Sequence, residues 1–254
     1  MDRRVAAARI RGLVLDRRHR VLVDDQGCAP EATVEWSERP LLAFQDFARD
    51  RYGLRLPSPA GSMVPHDGRG PRDFCFFVDP GEALPSMRWV CIAQASSDEW
   101  LWRAYVAMVL GGWEPPTRTI DVFAFGAGPE MASRLAHLVT SGSKRVTTSW
   151  LTTLERRGEA IPHAGMVSIV TDAFGLPRCA IRTVAVQRFR FGDVPAEWAA
   201  LEGEGDLTLE NWREDHRCFF AGEAESMQLA FSDDEVVLVE KFQVLHVIGR
   251  VAER

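Results

Sequence analysis

Gly142-Ser143-Lys144-Arg145-Val146-Thr147-Thr148-Ser149 sets a lysine and its hydroxyl neighbours directly behind a glycine. Upstream, residues 129 to 141 predict a short helix: Pro129 fits the first turn, Met131, Leu135, Leu138 and Val139 form an apolar stripe, and Gly142 stops it. Downstream, residues 144 to 150 alternate like a strand. Val146, Thr148 and Trp150 fall on one side, Arg145, Thr147 and Ser149 on the other. Among 30 Lys plus Arg, lysine occurs only at Lys144 and Lys241. An ammonium is a compact charge whose pKa burial can shift, whereas a guanidinium stays charged. Chance placement of two lysines is the plain alternative.

Gly142-Ser143-Lys144-Arg145-Val146-Thr147 fits the Gly-x-Lys-x-x-Thr pattern, and the chain here resembles the ASCH domain family. The similarity runs in order through Phe125-Gly126, Gly203-Glu204-Gly205-Asp206, Trp212-Arg213, His216, Phe219-Phe220 and Val239-Glu240-Lys241-Phe242, about residues 120 to 254. It implies an α+β chain whose second domain, residues 119–254, is a small PUA-like β-barrel with flanking helices. ASCH domains are associated with RNA and coactivator biology. Some short ones are amidohydrolases of N4-acetylcytidine with Lys, Thr and Glu at matching positions, and others bind or cleave RNA.

The resemblance therefore implies catalytic roles for Lys144, Thr147 and Glu204, with Glu202, two residues away, as the other candidate carboxylate. Glu204 is preferred for its place before the following Gly-Asp and Thr-Leu. Gly142, Arg145, Ser149, Trp150 and Arg182 are candidate ligand contacts, with Trp150 or another aromatic as a surface on which a base stacks. Where many relatives carry arginine this chain has Ser149, which weakens the case for polyanion contact.

Threonine is a poor nucleophile unless a neighbour takes its proton. For Lys144 to be that base near neutral pH, its pKa must fall by roughly three from about 10.4, an electrostatic cost of about 4 kcal/mol. An ionised Glu204 alongside would hold it charged instead, casting Lys144 as a donor to an oxyanion and Glu204 as the proton carrier. Three functions stay open: amide hydrolysis on a modified nucleoside or nucleotide, non-catalytic RNA or nucleotide reading, and protein interaction.

Charge narrows the ligand. The net charge is −6, and residues 1 to 119 hold 16 basic and 16 acidic side chains against 14 and 20 in the remainder. A generic phosphate-coating protein is basic, so nucleic-acid contact here must be local or the ligand small. A row of Arg178, Arg182, Arg188 and Arg190 would face phosphate only if the strand through them pairs regularly; a bulge would switch its parity.

The 254 residues suit two modest domains, and 46% hydrophobic with 26% charged residues describes a globular chain. Five scattered cysteines without a Cys-x-x-Cys pair predict reduced thiols in a cytoplasmic setting. The apolar stretch near the start, broken by Arg9 and Arg11, is too short for a signal peptide, and no run approaches a membrane span. The histidines show no paired ligand spacing, and nothing in the chain calls for a metal or cofactor. Oligomeric state is not readable.

The first half predicts a hairpin (residues 10–15 and 21–23), a helix from a Ser37 cap to Tyr52, a Gly-Pro-rich excursion over 57–71, strands at 74–78 and 88–93, and a helix over 98–110 capped by Ser96 or Ser97. Glu114-Pro115-Pro116-Thr117 marks the domain boundary, giving an α+β domain over 1–114. That domain distantly resembles a Nudix domain, in which a helix ends in Gly-hydrophobic as Tyr52-Gly53-Leu54 does. The family's metal-binding Arg-Glu and Glu-Glu pairs would fall at Asp46-Phe47 and Asp50-Arg51, so the resemblance implies a copy without its magnesium chemistry. An unrelated α+β domain is the alternative.

Overall fold

The computed structural model describes residues 7–35, 40–63, 73–78, 87–92, 99–126 and 128–248. The chain divides into two compact units. One comprises residues 1–118 with 174–177 and 248–254, the other residues 119–173 with 178–247.

In the first unit, β1 (Ala7–Leu15), β2 (Arg20–Asp24), β3 (Glu31–Glu35), β4 (Gly61–Met63), β5 (Asp73–Phe77) and β6 (Met87–Cys91) form a mixed sheet ordered β4-β5-β1-β2-β6, with β3 pairing β1 off that path. β1 runs parallel to β5 and antiparallel to β2 and β3. Helix α1 (Pro40–Tyr52) buries Phe44 among Ile10, Val14, Leu22 and Phe76, and ends at left-handed Gly53. Gly12 is required there, because a Cβ on it would overlap the Phe44 ring. Helix α2 (Glu99–Met108) buries Trp100, Leu101, Trp102 and Tyr105. Asp46 and Asp50 flank Arg49 as exposed ion pairs on α1. The sequence missed β3 and β4. Ser37, Ser96 and Ser97 lie outside the described residues.

In the second unit, β7 (Asp121–Ala124), β8 (Val146–Trp150), β9 (Val167–Thr171), β10 (Pro177–Arg190) and β11 (Val236–Val247) form a five-stranded half-barrel ordered β7-β9-β10-β11-β8. The helices are α3 (Pro129–Ser141), α4 (Leu151–Arg157), α5 (Ala196–Leu201) and α6 (Leu209–Ser226). Two apolar clusters hold α3, α5 and α6. Leu135, Ala136 and Val139 of α3 pack with Phe125, Val170, Ile181 and Phe242. Trp212, Phe220 and Ala224 of α6 pack with Val146, Trp150, Val237 and Val239.

The long β10–β11 ladder is irregular between Ala180 and Ile181 and between Thr183 and Ala185. An extra residue reverses which side chains share a face. The regular arginine row therefore does not form: half-exposed Arg182 is separated by the second irregularity from exposed Arg188 and Arg190 and lies on the opposite face. Arg190 pairs with Asp234, and Arg178 with Asp172.

Candidate functional site

The site begins where α3 stops. Gly142 takes φ 84°, and the amides of Ser143 and Lys144 both donate to Leu138 O, turning the chain off the helix. Arg145 N then donates to Leu201 O at the end of α5, and Arg145 O accepts from Phe242 N on β11. These bonds lay the lysine segment against the 202–206 loop. Gly203, at φ +69°, lets that loop approach, since a Cβ there would collide with Ser143 O. Thr208 caps α6 by accepting from Asn211 N, and Asp206 accepts from Thr208 N and Oγ1, which fixes the far end of the loop.

Lys144 is 1% exposed, and its Nζ donates to Glu202 Oε2 at 2.8 Å and to Glu204 Oε1 at 2.6 Å. The Phe125 ring lies 5.4 Å from the same nitrogen. Glu202 is buried, and its second oxygen accepts from Thr148 Oγ1. His216 Nε2 approaches Glu202 Oε2 at 3.5 Å, while its ring stacks on Trp212 and its Nδ1 bonds Trp212 O. Glu204 is the open member: its side chain is 21% exposed and lies 3.8 Å from the exposed guanidinium of Arg134 on α3.

Electrostatics fix the charge states. Burial alone would drive the Lys144 amine down, but the two carboxylates outweigh it and hold the pKa above the ordinary lysine value. Burial likewise opposes ionisation of Glu202. The positive charge of Lys144, with His216 alongside, wins and holds its carboxyl far below the usual range. The lysine is thus an ammonium, and the base role that needs a neutral amine is not available to it.

The remaining sequence candidates are spread around this centre. Thr147 is half-buried on the strand face opposite Thr148, and no hydrogen bond ties it to Lys144, Glu202 or Glu204 among the described residues. Ser149 shares its face. Arg145 folds back so that Nε donates to Gly142 O. Trp150 corrects the stacking expectation: it is 1% exposed, meets Phe231 edge-on and donates Nε1 to Glu235, so it is core and offers no face to a base. Sequence reasoning missed Thr148, Phe125 and Arg134, and set Glu202 second. His216 stood inside the similar stretch, four residues after Trp212 and so on the same helix face, but without an assigned role.

The ASCH domain family model matches residues 121–246. Among solved structures, the chain is similar to an ASCH domain from Lactobacillus crispatus JV V101, with 28% identity and a TM-score of 0.51 over 57% of this chain and 93% of that one. It is similar also to a protein from Enterococcus faecalis V583, with 30% identity and a TM-score of 0.50 over 60% of this chain and 93% of that one. No curated protein matches the chain.

Proposed function

We infer, from the premise that this chain belongs to the ASCH domain family and carries its PUA-like, RNA-binding type of fold, that the protein recognises a modified nucleoside or nucleotide, free or within RNA, at the Lys144–Glu202–Glu204 site. One observation carries this reading: a buried ammonium pins two carboxylates, and only Glu204 opens to solvent. A carboxylate held in this way keeps lone pairs for N–H donors such as the amino and imino groups of a base. Arg134 beside it supplies a guanidinium for a phosphate. Lys144 is too buried to meet phosphate itself, which fits a compact ligand better than a long polyanion and agrees with the excess of acidic side chains.

A second reading, amide hydrolysis of an N4-acylated cytidine-type substrate, draws on the 2.6 Å contact between Lys144 and Glu204. Here Glu204 takes a proton from the attacking water and passes it to the amine as the C–N bond breaks. The ammonium offsets charge building on the carbonyl oxygen, and the Thr147 hydroxyl would orient the acyl group. Incubating the purified protein with acylated nucleosides and short RNAs, while following both binding and product release, tests the two readings together. Binding without turnover favours recognition, turnover favours hydrolysis, and the absence of both binding and turnover removes the nucleoside assignment.

A further inference from the structure

Strands β8 and β11 are antiparallel, with Thr147 directly opposite Glu240 and Thr148 opposite Val239. Residues paired in this way project to one face, their Cβ atoms about 4.5–5.5 Å apart. Val146, Trp150, Val237 and Val239 fill the core beneath α6 from the other face, so Thr147 and Glu240 stand together on the opposite side of the sheet.

Glu240 is 7% exposed in the middle of its strand. Thr183 Oγ1 donates to its Oε1 at 2.5 Å, no cation forms an ion pair with it among the described residues, and its second oxygen has no hydrogen-bond partner there. The hydroxyl of Thr147 has none either. Only Trp212 Nε1 and Arg213 Nε are sealed from solvent without a partner among the described residues, so the free oxygens of Thr147 and Glu240 border accessible space. Burial, with the negative charge of Asp121 nearby, raises the Glu240 carboxyl above its ordinary range against the opposing bond from Thr183. Such a group costs stability where it stands. A glutamine or an aliphatic residue would fill the same place in a structural strand more cheaply.

We propose that Thr147 and Glu240 form a ligand-recognition pair that takes the amide-type edge of a nucleobase, an N–H beside a C=O. The free Glu240 oxygen meets the N–H, and the Thr147 hydroxyl donates to the C=O. The negative charge of Asp121 and Glu240 disfavours a phosphate at this place. The proposal rests on the nucleoside reading above and gives Thr147 a partner that its distance in sequence from Glu240 conceals.

The test titrates parent, Glu240→Gln and Thr147→Val proteins with cytidine, N4-acetylcytidine, uridine and N3-methyluridine by calorimetry, and records each melting temperature. Glutamine keeps the size of Glu240 but presents no anionic acceptor, and valine keeps the shape of Thr147. The expected result is a loss of about tenfold in affinity for uridine, whose ring N–H stands beside a C=O, in both variants, little change for cytidine and N3-methyluridine, which lack that edge, and a melting temperature for Glu240→Gln equal to or above the parent's. Affinities for uridine within about threefold of the parent overturn the pair while leaving the nucleoside reading intact, as does an equal loss for N3-methyluridine. A parent protein that binds no panel member overturns both.

Discussion

The ammonium of Lys144 and the carboxylate of Glu202, 58 positions apart in the chain, meet at 2.8 Å with almost no exposure of either side chain. Removing one partner strands a buried charge, which typically costs about 3–5 kcal/mol, whereas replacing both with apolar groups is often nearly neutral. Lys144→Met should therefore lower unfolding stability by roughly that amount in urea melts, and adding Glu202→Leu should restore most of it. Equal stability of parent and Lys144→Met would remove the buried pair.

The same pair sets a pH window. The Glu202 carboxyl is depressed below its ordinary 4.5, so its contribution is present above that pH and is lost as the medium becomes more acidic. The Lys144 pKa is raised above 10.5, so its contribution is present below that pH and is lost as the medium becomes more basic than the folded value. Below 4.5 and above 10.5 the Glu202→Leu, Lys144→Met double variant should show a flatter stability profile than the parent, and between those limits the two profiles should run parallel.

His19 gives a second, separable acid sensitivity. Its ring is buried, with Nδ1 2.7 Å from the Tyr105 hydroxyl and Nε2 2.7 Å from Gly175 O, and burial lowers its pKa from 6.5 to about 4. The unfolded chain then binds more protons between those two values, so stability falls as pH drops from about 6.5 to about 4, by up to about 3 kcal/mol. His19→Gln should flatten the unfolding free energy over that interval. A slope unchanged by the substitution would mean that His19 does not carry it.

Much of the second unit was readable because local chemistry decides it. Pro129, the apolar stripe and Gly142 bound α3 by themselves, and the similar segments, from Phe125 to Phe242, all fall inside the family match, residues 121–246. Alternation in 146–150 was equally plain, but alternation does not say which face is core. Trp150 was therefore given to a ligand when α6 and Phe231 cover it. Glu202 and Glu204 look equivalent in sequence. Gly203, at positive φ, turns the chain between them so that one is buried and the other opens outward. The strands of the first unit at 31–35 and 61–63 were missed for another reason. Their few residues follow Gly and Pro and gain their pairing from β1 and β5, distant in sequence.

Gly203 is itself testable. At φ +69° an L-residue is strained, and its Cβ would strike the backbone oxygen of Ser143. Gly203→Ala should cost about 1–3 kcal/mol and displace Glu204 from Lys144, weakening ligand binding as well as stability. A variant as stable as the parent, with unaltered binding, would show that the loop tolerates the side chain and that its close approach is not needed.

Glu204 separates catalyst from reader. Glutamine there keeps size and hydrogen bonding but can neither carry a proton nor balance the Lys144 ammonium in full. If the site hydrolyses an amide, Glu204→Gln should cut kcat by about 10²–10⁴-fold with a smaller change in affinity, because the lost step belongs to the transition state. If the site only reads a base, the same substitution should weaken binding of ligands that offer N–H donors, and no product should form with the parent either. Arg134→Ala supplies the contrast. It removes the exposed guanidinium 3.8 Å from Glu204 without touching the buried pair, so it should weaken nucleotides more than nucleosides, and more at low salt than at high. Equal loss for nucleotide and nucleoside would take phosphate away from Arg134. Undiminished turnover by Glu204→Gln would take the proton away from Glu204 and leave the hydrolase reading without its acid and base.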